Sequence, residues 1–319
     1  MIRIGEFAQW MADDINSRYE REGISIRLQT MEKEKNNGVV LNGLWTDIKG
    51  DGAVPVLYLE NAFDRYQKGE SFGDISKEIG DIYLELYENS RNVEVPDINK
   101  ESVKDMLRLD LIDTLAVKEF NDSLITYPVS CGYAIAVYAD LPKDSPIQGR
   151  IRITGEIAEK MGYDREELLE DAVRSATRFD PPVLSSVADL MMPAGLGEEQ
   201  VNYLAQRKRK IPDKLLVLTT QSKYLGASAL YYPQVQRRIG DLVGGDYYVI
   251  PSSVHEVLVV PEGRETAVSD LASALKKVNS SLVRKEEQLG NRILQYRRET
   301  GRLYVAMDLD MQQNRERGR

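Results

Sequence analysis

A single histidine and a single cysteine stand in 319 residues, and they bound the chemistry this chain can do. The histidine lies in Pro251-Ser252-Ser253-Val254-His255-Glu256-Val257. Serine, histidine and glutamate at this spacing suggest a hydroxyl nucleophile, an imidazole base and a carboxylate that orients it. Strand geometry opposes that use. Alternation puts His255 and Glu256 on opposite faces and leaves Ser253 beside His255 with no local acid. No Gly-x-Ser-x-Gly elbow of a serine hydrolase surrounds Ser252 or Ser253. His255 is therefore expected to be structural, and no residue is assigned as catalytic. Ser252, Ser253, His255 and Glu256 stand as binding candidates, with a cryptic hydrolytic site near His255 as the enzymatic alternative.

Metal and cofactor chemistry finds little to work with. One His and one Cys would leave a metal only carboxylates and carbonyls, the donor set of hard cations. An EF-hand loop is missing, and the acidic pairs Asp13-Asp14 and Asp308-Leu309-Asp310 suit a solvated surface better than a cation site. Neither Gly-x4-Gly-Lys-Ser/Thr nor Gly-x-Gly-x-x-Gly occurs, so a phosphate cradle of those kinds is not expected. No metal and no cofactor is expected. One cysteine also excludes a disulfide framework and any Cys-rich zinc or iron–sulfur site.

Charge points to the kind of partner. Acids number 51 against 42 Lys plus Arg, a net charge of −9. That balance argues against direct, sequence-independent binding to nucleic acid and suits a protein partner with a basic surface. One concentrated basic run, Arg207-Lys208-Arg209-Lys210, is a candidate contact for phosphate or an acidic partner. It lacks interleaved aromatics, so a solvated loop is its simpler role, and a nucleic-acid accessory is the other alternative. Tyrosine, at 17, far outnumbers Phe at 5 and Trp at 2. The pairs Tyr231-Tyr232 and Tyr247-Tyr248 could anchor an interface or pack on a sheet. No run of 18 uncharged apolar residues and no secretory leader is visible, so no membrane association is expected.

These side chains must be positioned by alternating helices and hairpins. Ile4, Phe7, Ala8, Met11, Ile15 and Tyr19 predict a helix that stops at Gly23. Ile24, Ile26 and Leu28 alternate as a strand. Lys35-Asn36-Asn37-Gly38 then reads as a hairpin turn leading to a return strand over 39–45, and Asn36 and Asn37 join the binding candidates. A third strand reads 54–59, with Pro55 confining it to an edge. Helices follow over 62–66 and 72–86, a polar linker over 91–100, and a helix over 101–112. Strands are predicted over 124–129, 133–141 and 151–153, then a helix begun by a capping box at Asp164 and ended by Pro181-Pro182. Leu215–Thr219 reads as a strand, and residues 227–239 as helical on either side of Pro233. A hairpin over 247–250 and 254–260 follows, then a helix over 268–278 and a strand over 303–307. The segment 251–260 is expected to be a central strand, apolar on both faces, with His255 inside and neutral.

Strand clusters separated by helices predict an α+β fold, with antiparallel or mixed sheets, packed helices and two to three subdomains. The expected divisions are an N-terminal subdomain over 1–95, a middle one over 101–195, a C-terminal one over 211–307 and a flexible tail over 308–319.

Four motifs occur in order: Lys35-Asn36-Asn37-Gly38, Pro55-Val56-Leu57-Tyr58-Leu59-Glu60, Gly226-Ala227-Ser228-Ala229-Leu230-Tyr231-Tyr232 and Pro251-Ser252-Ser253-Val254-His255-Glu256-Val257-Leu258. In this the whole chain resembles a domain-of-unknown-function family of anaerobic gut bacteria, often carried on integrative and conjugative elements. Residues 127–278 are also distantly similar to a second uncharacterised bacterial family. The resemblance implies a cytoplasmic bacterial or mobile-element protein and supplies no catalytic residues. One departure is Ala176-Thr177-Arg178-Phe179, where the family pattern leads one to expect an Asn-rich helix end. Together these features favour a protein that works by protein–protein interaction, with inhibition of a host defence nuclease as the sharper form.

Overall fold

Phe7, Met11, Ile15 and Tyr19 recur at every fourth residue, and helix α1 (Ile4–Glu22) turns that row inward as a buried stripe. Gly23 ends it in the left-handed region at φ 73°, where a side chain would be strained. The computed structural model describes residues 2–34, 39–46, 55–91, 99–114, 124–141, 150–188, 202–205, 215–263 and 266–311. These fall into two units, one drawn from Met1–Asp97 and Leu141–Gly149 and the other from Ile98–Asp140 and Arg150–Arg319.

In the first unit, β1 (Leu28–Glu34), β2 (Val40–Thr46) and β3 (Leu57–Tyr58) form an antiparallel sheet in that order. The hairpin holds, with Glu34 opposite Val40. The turn residues Asn36 and Asn37 lie outside the described residues. Ile24 and Ile26 are not in the strand; they pack on the core ahead of it. The Asn16 side chain accepts from the Leu28 N–H and donates to the Leu28 carbonyl, and β1 starts there. Helices α2 (Glu60–Gln67) and α3 (Phe72–Arg91) complete the unit. Ile75 and Tyr83 from α3 join Phe7, Leu44 and Leu59 in one apolar cluster.

The second unit corrects the helix expected over 101–112. Helix α4 (Lys100–Val103) is one turn capped by the Asn99 side chain, and β4 (Leu107–Asp113) is a strand. Leu107, Leu109 and Leu111 recur at period two and enter the core, so alternation decides the outcome. Strand β4 pairs with β6 (Tyr133–Asp140), which also pairs with β5 (Thr126–Pro128) and β7 (Arg150–Arg152), all antiparallel. Helices α5 (Gly155–Met161) and α6 (Arg165–Phe179) follow, α6 opening with the Asp164 carboxylate accepting the Glu167 N–H.

A six-stranded antiparallel sheet closes this unit, in the order β13-β12-β10-β11-β9-β8. Its members are β8 (Pro182–Ser186), β9 (Leu216–Thr220), β10 (Tyr247–Ile250), β11 (Val257–Pro261), β12 (Arg292–Arg297) and β13 (Arg302–Asp308). The sequence patterns do not predict β8 or β12; Pro182 begins β8 at the sheet edge, where a missing N–H costs least. A 3-10 segment (Gly226–Tyr231), α7 (Val235–Val243), α8 (Val268–Ser281) and a 3-10 turn (Lys285–Glu287) pack around it. On β11, Val257 and Val259 enter the main core, while Leu258 and Val260 meet Ala272 and Leu275 of α8. The strand is central and covered on both faces, as its composition suggests. It begins at Val257, however, and Val254, His255 and Glu256 lie in the loop before it. The fold is α+β, with helices packed on three antiparallel sheets among the described residues.

Candidate functional site

The loop 251–256 owes its shape to the residues that looked catalytic. Pro251 has no N–H to extend the β10 ladder. The Ser252 hydroxyl donates to the Glu256 carbonyl at 3.1 Å, and the Ser253 hydroxyl accepts the His255 N–H at 3.1 Å. Both serines are buried and turn the chain over four residues. Neither His255 nor Glu256 is in a strand, so alternation does not set them on opposite faces.

A second segment locks this loop from below. Thr219, near the end of β9, donates its hydroxyl to the His255 carbonyl at 2.8 Å. Gly226 passes so close that a Cβ there would lie 2.2 Å from Thr219 Oγ1 and 2.6 Å from both the His255 carbonyl and the Thr220 nitrogen. Only glycine fits. Just before it, Lys223 and Leu225 adopt left-handed backbone at φ 58° and 54°. The Asp180 carboxylate steadies that turn by accepting from both the N–H and the hydroxyl of Ser222.

The imidazole is engaged at both ends. Leu225 donates its N–H to His255 Nδ1 at 3.2 Å, and His255 Nε2 faces Glu287 Oε1 at 3.5 Å. With Nδ1 accepting, a neutral ring carries its proton on Nε2, toward the carboxylate. Arg284, and then His255, hold the Glu287 carboxyl below the usual range, so it stays ionised opposite that proton. Tyr224 lies tilted against the ring at 5.2 Å, and Arg150 sits over the other aromatic ring, Tyr224, at 4.3 Å. The His255 side chain is 28% exposed rather than enclosed as expected. Burial raises the pKa of Glu256, which has no ion pair among the described residues.

A general base must offer a lone pair to the hydroxyl it activates. Here Nδ1 is occupied by a backbone N–H, Nε2 carries the proton, and both serine hydroxyls serve the backbone of their own loop. Ser252, Ser253, His255 and Glu256 come together, but as a clasp around one turn. The other candidates, Asn36, Asn37, Arg207, Lys208, Arg209 and Lys210, lie outside the described residues. Among the described residues no three His, Cys, Asp or Glu side chains gather as a metal site.

Two features carried no sequence signal. The first is an ion pair between Arg292 at the start of β12 and Asp113 at the end of β4, both almost fully enclosed. Arg292 also lies over the Tyr133 ring at 4.4 Å. The partners are 179 residues apart, so neither implied the other. The second is an open groove of about 650 Å³ along α6, lined by Leu169, Val173, Thr177 and Pro233 and rimmed by Glu170, Arg174 and Arg178. No helix among the described residues is long and apolar enough to cross a membrane.

Comparison with known proteins gives a family and no activity. The model of a family described as "Family of unknown function (DUF5688)" matches residues 4–298, and the chain belongs to that family. No curated protein and no solved structure matches.

Proposed function

We propose that this DUF5688 member works in the cytoplasm by binding another protein through an acidic face, and not by chemistry at His255. The observation that carries the proposal is on α3, where Asp74, Glu78, Asp81, Glu85 and Glu88 recur at intervals of four and three residues, all exposed. That spacing lays five carboxylates along one side of the helix over about 21 Å. Glu78 is paired with Arg65 and Asp81 with Arg18. Asp74 and Glu85 have no ion pair among the described residues and are free to meet cations of a partner. A negative stripe on a chain of net charge −9 suits a basic protein surface, which it would also steer into contact.

The engaged nitrogens of His255 weigh against the hydrolytic alternative. The resemblance to a family often carried on conjugative elements supports a sharper form of the same reading. In that form a mobile-element protein occupies the basic nucleic-acid channel of a host defence nuclease, its carboxylates standing where phosphates would lie.

Affinity capture from the native host, followed by direct binding of the captured protein at two salt concentrations, tests this. Binding is expected to weaken with salt and to be lost in Asp74→Lys/Glu85→Lys, while His255→Ala binds in proportion to its folded fraction. A partner that binds the double lysine variant as well as wild type overturns the acidic face. Loss of a measured activity in a fully folded His255→Ala would restore the enzymatic alternative.

A further inference from the structure

Helix α6 carries a charge pattern that is complementary to itself. Glu166, Glu170, Arg174 and Arg178 follow one another at intervals of four, acids in the N-terminal half and bases in the C-terminal half. All four are exposed. Such a row invites Glu-to-Arg pairs within the helix, Glu170 to Arg174 above all. That pair does not form. Arg174 turns instead to Asp171, at 2.8 Å, with its own side chain 72% exposed. Glu166, Glu170 and Arg178 have no ion pair among the described residues, and Arg178 rests over the Phe179 ring at 4.9 Å.

Beside this row lies the groove of about 650 Å³, floored by Leu169, Val173 and Pro233. Leu169 and Val173 reach the core with one side and leave the other half-open in the groove. The apolar floor and the charged rim therefore face solvent together.

We propose that two copies of this chain pair through the exposed side of α6, antiparallel about a two-fold axis that crosses the helix at the level of position 172. In that register Glu170 meets the partner's Arg174, and Glu166 meets the partner's Arg178. Both pairs form twice, because the sequence positions of each pair are centred on the same residue. Leu169 and Val173 of each copy then close the apolar floor between the helices. A two-fold contact needs a patch that complements itself, and this row does so with no change of register. The inference stands apart from the acidic face on α3 and does not depend on it.

Sedimentation velocity on the full chain over a concentration series reads the result directly. Wild type is expected to shift from monomer to dimer as concentration rises, and less so at high salt. Glu170→Arg alone places arginine against arginine, and Arg174→Glu alone places glutamate against glutamate, so each is expected to remain monomeric. Mixed in equal amounts, the two variants regain both opposite-charge pairs and are expected to form a dimer of one copy each. Matching thermal melts for all three proteins establish that the surface changes leave the fold intact. A wild type that stays monomeric throughout overturns the proposal. So do single variants that dimerise as wild type does, and so does a mixture that stays monomeric.

Discussion

Glu256 works against the fold at neutral pH. Burial raises its pKa, and the nearby His255 and Lys223 only partly offset that. A carboxyl whose folded pKa lies above its unfolded value favours the native state while protonated, and that contribution is lost as pH rises through the folded pKa. Glu256→Gln removes the ionisation. Its melting temperature is expected to exceed that of wild type near pH 7, with the gap closing toward pH 4; a gap independent of pH would contradict this origin. His255→Ala should act in the opposite direction. It deprives the Leu225 N–H of its acceptor at a left-handed residue. An orphaned donor of this kind costs about 1–3 kcal/mol, readable as a shift in urea midpoint. An unchanged midpoint would show that water or a neighbour takes over that bond.

Where elements meet, tolerance for change is smallest. Gly226 sits between β9 and the loop 251–256, with two backbone atoms 2.6 Å from where a Cβ would stand. A flexible side chain could yield, but backbone cannot without breaking the Thr219 and Leu225 bonds that hold His255. Gly226→Ala is therefore expected to destabilise by about 3 kcal/mol or more, beyond the usual range for overpacking, measured by chemical denaturation. Retained stability would mean that the turn moves as a body. The same junction shows how far the sequence could be read. Long rows at helical spacing, as in α1, α3 and α6, gave their helices directly, and short apolar runs bounded by polar or turn residues gave β2, β6 and β9. The reading failed at Glu101–Ile112, where a one-turn helix runs into a strand and both periods overlap. It failed again at Val254–Glu256, where apolar neighbours suggested a strand that two serine side chains turn into a loop. The four residues near His255 were visible as a group. Their use was not, because it depends on Leu225, Thr219 and Glu287, which only folding brings to them.

At the scale of the molecule, the apolar residues form separate cores. The cluster around Phe7, Ile15 and Tyr83 belongs to the first unit, and the second holds one that includes both Leu107 and Leu294 and another around Leu275. Within the second unit, the Arg292–Asp113 pair ties the strand β4 of one sheet to β12 of the other. Arg292 also donates to the Gly132 carbonyl at 3.2 Å, beside the turn where Cys131 takes left-handed backbone at φ 64°. Such a pair adds little net stability over well-packed apolar residues, but removing one partner leaves the other charge enclosed. Arg292→Met keeps most of the volume and removes the guanidinium from beside the enclosed Asp113 carboxylate. The expected loss is roughly 3–5 kcal/mol by denaturant unfolding. Hydrogen exchange should show it first in the amides of β4, β6 and β12, since these strands carry Asp113, the Tyr133 platform and residue 292 itself. Faster exchange confined to α1 and α3 would be inconsistent with this assignment, because neither helix contributes to the core that the pair closes.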